Sequence, residues 1–386
     1  MFVKRFLLLI FFLSIVSIQN FSFAEESNQK AIKSNRIDNY EILSISQPGS
    51  LFYSVTNGII KSAINLNSNL TFIGRANVGL EKVLDKNNIE ILTTRKDYLY
   101  SLSIKTIHND VSDLFYSKKV SESLINNEII ISDLTANLYS LTKGDSMFLI
   151  GLNQQEVEVV VGEIIPDSEI GWFEGVVNKD LGYKLGINRN IQAIIWGNKI
   201  TENHLIEIHK NIKYKKIRLT GRDSTPNRNW VLPTALVKEM FGDFQMKERD
   251  GTWITIDRAW KDENIETKNV PILGRITCHR LMWEPLLGAF NQIIEENLQS
   301  GLSREQFKEA GGCYAPRRIN RFDSGGSISR HAWGIAIDIN TKTGYKPRIV
   351  EIFNDWGFAW GGTWTSPDAM HFELRSLSAS ISQANK

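Results

Sequence analysis

The chain of 386 residues carries 45 basic and 43 acidic side chains, and loss of an N-terminal leader containing Lys4 and Arg5 leaves 43 of each. So even a balance lacks the basic footprint of a nucleic-acid-binding protein, and no nucleic-acid partner is expected. The length is more than one hydrophobic core usually supports, so two domains are expected.

The leader comes first. Residues 1–5 hold both of its charges, 6–18 are an almost unbroken apolar run, and Ser22-Phe23-Ala24 sets small residues ahead of Glu25. This is the pattern of a cleaved secretory signal over residues 1–24. The run is shorter than the roughly 20 residues that cross a bilayer. No later stretch is long or apolar enough, so no stable membrane span is expected after cleavage. Both cysteines, Cys278 and Cys313, fall late in the chain. In an oxidising compartment such a pair fits a disulfide, contributing roughly 3 to 4 kcal/mol in the chain-entropy model. Two buried thiols are the alternative, and spacing alone does not decide.

Residues 25–215 read as a mostly β domain that carries no motif stating its role. Runs rich in β-branched and aromatic residues at 51–56, 70–73, 128–132, 147–150, 156–164 and 191–196 predict strands. Asn57-Gly58 and Lys143-Gly144-Asp145 read as turns. A polar stretch at 220–229 marks a linker over residues 216–235. In the last segment, 236–386, the pattern changes. Apolar residues at Leu286, Phe290, Ile293, Ile294 and Leu298, with Pro285 in the first turn, predict a helix over 284–298. Ile349, Phe353 and Trp356 predict a second over 347–356, stopped by Gly357. Strands are expected at 312–319, 334–339 and 370–374, so this segment is an α+β domain, an antiparallel sheet with flanking helices.

The α+β segment also holds the chemistry. His331, Asp338 and His371 are candidate metal ligands, and Asp368 lies three residues before the last of them. Two imidazoles and one carboxylate leave a fourth tetrahedral position for water, as catalytic zinc sites do. In one continuous strand His331 and Asp338 would point to opposite faces roughly 23 Å apart, so the chain must bend between them, and Gly334 is where it can do so cheaply. Beyond the bend, Asp338 alternates with Ile335, Ile337 and Ile339. A carboxylate in so apolar a strand is costly to bury unless a cation neutralises it. Singly, each residue reads as an ordinary core, surface or turn side chain. Jointly, four suitable groups within forty-one residues point to one metal site.

Ser329-x-His331-x-x-Gly334-x-Ala336-x-Asp338, followed by Asp368-x-x-His371-Phe372-Glu373, resembles the zinc D-alanyl-D-alanine carboxypeptidase and L-alanyl-D-glutamate endopeptidase family, which cuts peptidoglycan stem peptides. Gly312-Cys313-Tyr314-Ala315-Pro316-Arg317-Arg318-Ile319 resembles that family's arginine strand. The likeness covers residues 271–374 and not the N-terminal half. It implies that His331, Asp338 and His371 bind one Zn2+, that Asp368 acts as the base toward the attacking water, and that Arg317 steadies the oxyanion. An aspartate as base looks more like the endopeptidase branch. The resemblance further implies a hydrolase that is secreted or periplasmic, associated with the cell wall, with stem peptides as its partners.

Other residues carry less. Arg318 competes with Arg317, but neighbours in a strand face opposite ways, so only one of them should reach the cleft. Ser329 reads as a turn former. Glu373 can orient His371, although a solvated strand residue is the reading favoured here. Some of Trp356, Phe358, Trp360 and Trp364 are expected to line the cleft. His279 matches no ligand position, and His108, His204 and His209 read as surface residues. Two alternatives remain: a catalytically silent cell-wall binding module, and a non-haem iron oxygenase. The latter usually sets its first histidine and carboxylate two residues apart, unlike the spacing here. The sequence does not decide the oligomeric state.

Overall fold

The computed structural model describes residues 42–47, 50–171, 173–197, 202–212, 218–220, 231–249, 252–310, 312–319, 326–342, 344–364 and 367–377. The expected signal segment and most of the expected linker lie outside them. The described residues pack as one unit. Among the described residues no helix is long and apolar enough to cross a membrane.

Ten strands build the first sheet: β1 (Leu43–Ser46), β2 (Asn69–Leu84), β3 (Glu90–Thr93), β4 (Tyr100–Ile107), β5 (Ile129–Ser132), β6 (Ser146–Ile150), β7 (Glu156–Ile165), β8 (Gly175–Asn178), β9 (Asn190–Trp196) and β10 (Arg218–Thr220). The 16-residue β2 is long enough to pair with β9 at its start, β4 at its middle and β6 at its end. Those pairings close a ring, β2-β4-β8-β5-β7-β6 and back to β2, in which β4–β8 and β5–β7 are parallel. Val78, Leu80, Leu102, Ile104, Ile129, Ile131, Met147, Leu149 and Val161 pack together as the apolar core of this ring. Fully burying each such side chain contributes about 1.5–3 kcal/mol.

Helices accompany these strands, so the region is a helix-flanked mixed sheet and not strands alone. The run at 51–56, expected as a strand, opens the helix Tyr53–Asn65 instead. Val55, Ile59 and Ala63 recur at helical spacing and pack with Leu43, Ile45, Ala193 and Ile195. Gly58, expected in a turn, lies inside this helix, where a Cβ would meet the Asn211 carbonyl oxygen at 2.7 Å; it permits a close crossing with the helix Glu202–Asn211. Gly144 does sit in a turn, at φ +93°.

Among the described residues seven further strands follow: β11 (Met246–Glu248), β12 (Ile254–Ile256), β13 (Ile265–Val270), β14 (Gly274–His279), β15 (Ala336–Asp338), β16 (Phe358–Trp360) and β17 (His371–Leu374). β11–β12 and β13–β14 are antiparallel hairpins, and β15-β17-β16 is an antiparallel sheet. The predicted helices are Trp283–Glu295 and Pro347–Asp355, and they bury Phe290 and Phe353 against Phe358 and Phe372. Segment 312–319 is no regular strand. It runs extended with isolated pairings of Arg317 to Trp253 and Arg318 to Ile328, and Pro316 within it has no N–H to donate to a ladder. Cys278 on β14 is disulfide-bonded to Cys313, with Cα atoms 5.4 Å apart.

The ring and the C-terminal segment meet around Lys238, buried on the helix Thr234–Phe241. Its Nζ lies 2.8 Å from Glu174 Oε1 and 3.4 Å from Asp243 Oδ2, and it donates to the Tyr139 hydroxyl at 2.9 Å and to the Ser101 carbonyl. Burial opposes the charge on Lys238, but Asp243 and Glu174 hold its pKa above the ordinary lysine value.

Candidate metal centre

The first donor comes from a helix and a bend. The Ser329 hydroxyl accepts from the His331 amide at 3.3 Å and caps the short helix Arg330–Trp333; Gly334 ends it at φ +69°. A Cβ on Gly334 would also meet the His279 backbone nitrogen at 2.7 Å, so glycine serves both the left-handed turn and the close approach. The chain then enters β15, where Asp338 stands directly opposite His371 on β17. Cross-strand partners share a face, so the carboxylate and the second imidazole meet without further adjustment.

His331, Asp338 and His371 are all buried, and their donor atoms lie within 4.8 Å of one another. His331 Nδ1 lies 2.8 Å from the Cys313 carbonyl oxygen, which can only accept, so Nδ1 carries the hydrogen and Nε2 keeps a lone pair. That Nε2 is 3.2 Å from Asp338 Oδ2, buried, and without a hydrogen bond. His371 Nδ1 lies 2.9 Å from Asp338 Oδ1, and its Nε2 lies 3.1 Å from Glu373 Oε2. With Nε2–H turned to Glu373, a neutral His371 also aims a lone pair at Asp338. Two imidazole lone pairs and a carboxylate therefore converge on one point, which is stable only around a shared cation. In the metal-free protein a proton plays that part. Burial disfavours it, but the hydrogen bonds to Asp338 and Glu373 raise the His371 pKa to about 9. Burial would likewise raise Asp338, yet the two imidazoles hold it well below the usual carboxylate range. Three donors with one position left over can hold a divalent ion and present it to a ligand.

Glu373 corrects the sequence reading, which favoured a solvated strand residue. It is buried, accepts from His371, and stands in register between Ala336 and Ala359, whose small side chains leave room for a carboxylate inside the sheet. Arg330 supplies opposite charge within electrostatic reach.

Asp368 is half-buried, one turn before His371. Its amide donates to the Gly361 carbonyl at 2.9 Å, and its own carbonyl accepts from the His371 amide at 3.2 Å. A Cβ on Gly361 would lie 2.6 Å from the Asp368 carbonyl oxygen, so this glycine lets the turn close. Burial raises the Asp368 pKa, His371 opposes the shift, Asp338 adds to it, and Arg317 is among the weaker charges lowering it. Arg317 thus lies within electrostatic reach of Asp368. Arg318 is buried on the opposite side, bonded to Glu248 and to the Gly326 carbonyl. Trp253 pairs with Arg317 and so lies on its side of that pairing; it is 45% exposed, and the sequence reading did not single it out. Of the four aromatics considered, Trp364 lies beside the His371 ring at 5.2 Å and Trp360 donates to the Ala369 carbonyl, while Phe358 is core and Trp356 bonds to Gln292. His279 is buried against the Phe241 carbonyl, away from the three donors. His108 is paired with exposed Asp110, His209 is exposed, and the His204 side chain lies outside the described residues.

Residues 323–374 match the family model described as D-alanyl-D-alanine carboxypeptidase. The match is confined to the C-terminal segment, as the motif resemblance is, and takes in His331, Asp338, Asp368 and His371 but begins beyond Arg317. No curated protein matches the chain.

Proposed function

We propose that this chain is a secreted zinc-dependent peptidase acting on peptidoglycan stem peptides. The observation that carries the reading is the convergence of His331 Nε2, Asp338 and His371 Nδ1, with both imidazoles oriented by acceptors behind them. The donor set suits zinc: two nitrogens and one oxygen, with the Cys313 carbonyl and the Glu373 carboxylate behind the imidazoles to fix a ligating tautomer. When bound, zinc supplies a Lewis acid with one open position and lowers the pKa of water there to about 7.

The remaining chemistry belongs to the chain. Asp368, one turn before His371 and half-buried, is the carboxylate that would take up a proton from the attacking water and return it to the leaving amine. Arg317, a permanent cation on the same side, compensates the negative charge that develops on the scissile carbonyl oxygen. Trp364, beside the His371 ring, supplies an apolar wall at the site.

Two cleavage positions fit this machinery: removal of a terminal D-alanine, favoured by the description of the matching family, and cleavage between L-alanine and D-glutamate, favoured by aspartate as the base. Incubation of the zinc-loaded protein with defined muropeptides, followed by mass analysis, separates them, because the fragments differ in mass. Chelator-sensitive release of either fragment supports the proposal. An intact muropeptide pool after prolonged incubation with zinc-loaded protein refutes it and leaves a silent binding module. Turnover that requires oxygen and a reducing co-substrate would move the site to iron chemistry.

A further inference from the structure

The segment carrying Arg317 folds back on the segment that leads into His331. The Ser329 amide donates to the Arg317 carbonyl at 2.9 Å, the Ile319 amide donates to the Ser327 carbonyl at 2.8 Å, and Arg318 pairs with Ile328 between them. Side chains alternate along such a pair, so Arg317, Ile319, Ser327 and Ser329 share one face while Arg318 and Ile328 share the other. Burial agrees: Arg318 and Ile328 are buried, whereas Ile319 is 60% exposed. Arg317, on this face, lies within electrostatic reach of Asp368.

A second guanidinium reaches this face from the N-terminal ring. Arg75, on β2, is half-buried, donates to the Ser327 hydroxyl and lies over the Phe173 ring. Among the described residues it makes no ion pair with a carboxylate. Glu174, the residue after Phe173, is engaged by Lys238 and by the Ser103 amide. Its charged neighbour is Arg330, of like sign, and burial with that repulsion lowers the Arg75 pKa. A half-buried guanidinium beside another cation, with no carboxylate of its own, is a position that an anion would stabilise. Ser327, to which Arg75 donates, stands two strand positions, roughly 7 Å, from Ser329, the residue opposite Arg317.

We infer that Arg75 binds the α-carboxylate of the residue immediately after the scissile bond, so that the ring completes the substrate cleft. This rests on the peptidase reading for its substrate. Both cleavage positions share the chemistry: a terminal D-alanine carries its carboxylate on the carbon next to the scissile nitrogen, and so does a D-glutamate linked onward through its side chain. With the carbonyl at Arg317, that carboxylate falls about one residue further along the face, toward Arg75.

The test measures binding to metal-free protein by NMR titration, independent of turnover. N-acetyl-D-alanyl-D-alanine is compared with its C-terminal amide, and N-acetyl-L-alanyl-γ-D-glutamate with its α-amide; the pair that discriminates identifies the source of the carboxylate. In the native chain one free acid should bind about tenfold or more tightly than its amide, the scale of one charge-assisted contact. In Arg75→Ala the preference should fall to within about twofold. Arg75→Lys, which keeps the charge and loses the fork, should retain part of it and covers the case in which the alanine variant does not fold. Melting temperature and zinc stoichiometry report on folding. Equal binding of acid and amide by the native chain, no binding of any of the four probes, or a preference that survives Arg75→Ala overturns the inference. Chelator-sensitive muropeptide cleavage with no acid preference leaves the peptidase reading standing without this site. An acid preference seated on Arg75 with no cleavage does the reverse.

Discussion

Replacing Glu373 with alanine probes how strongly the candidate metal centre depends on the group behind its second imidazole. The carboxylate accepts from His371 Nε2 at 3.1 Å, and both residues are buried. Its strand neighbours are Ala336 and Ala359, so no other side chain beside it in the sheet can take over the contact. The variant leaves a buried imidazole N–H without an acceptor, at a cost of about 1–3 kcal/mol. It also frees the ring to rotate away from Asp338. Loss of such an orienting partner lowers metal affinity by about 10–100-fold, or roughly 1.4–2.7 kcal/mol, the same range reached independently. Glu373→Gln keeps an acceptor oxygen and should lose less than about tenfold. Zinc titration of the metal-free protein against a chromophoric chelator reads both. A Glu373→Ala protein that binds zinc as tightly as the native chain would falsify the tautomer assignment on which the metal site was argued.

Asp368→Ala should lower kcat for stem-peptide cleavage by about 10²–10⁴-fold and leave zinc affinity within about threefold, since Asp368 is offered as a base and not a ligand; loss of zinc with the activity would make it a fourth ligand instead. In the metal-free protein burial raises the Asp368 carboxyl pKa above its ordinary value, and a carboxyl carbon NMR titration that places it at or below the ordinary aspartate range would contradict its buried placement. His371 holds its proton more tightly in the folded metal-free protein, with a pKa of about 9, than at its ordinary 6.5. Its stabilising contribution is therefore complete below pH 6.5 and is lost as pH rises toward 9, so thermal unfolding of metal-free protein should move to lower temperature across that window. The same proton must leave when His371 binds a metal through Nδ1, so zinc uptake at pH 7 should release protons into a weakly buffered solution, and uptake without release contradicts the protonated resting centre. Lys238→Met strands Glu174 and Asp243 as buried carboxylates and should cost about 3–5 kcal/mol in urea unfolding, against less than about 1 kcal/mol if the cluster were solvated.

The difference between what the sequence disclosed and what it concealed follows the range of the interactions. His331, Asp338 and His371 were visible because few arrangements of apolar strand tolerate a lone carboxylate, and because Gly334 marks the bend that their spacing demands. The helices over 284–298 and 347–356 were visible from local periodicity, and each appears within a few residues of its expected ends. The strand expected at 51–56 failed because β-branched composition outweighed the spacing of Val55, Ile59 and Ala63, and Gly58 looked like a turn until Asn211 stood against it. Closure of the ring depends on β2 pairing with β6, more than sixty residues on, for which no local signal exists. Glu373 lies between these cases. Its position two residues after His371 on one strand already put both on the same face. Whether that face was wet or dry depended on Ala336 and Ala359, which two other strands bring alongside, and a carboxylate flanked by alanines inside a sheet makes sense only when it serves a neighbour. Arg75 shows the same logic at longer range: nothing around it in the sequence marks a ligand site, and its meaning comes from Ser327, which the fold carries to it from 252 residues away.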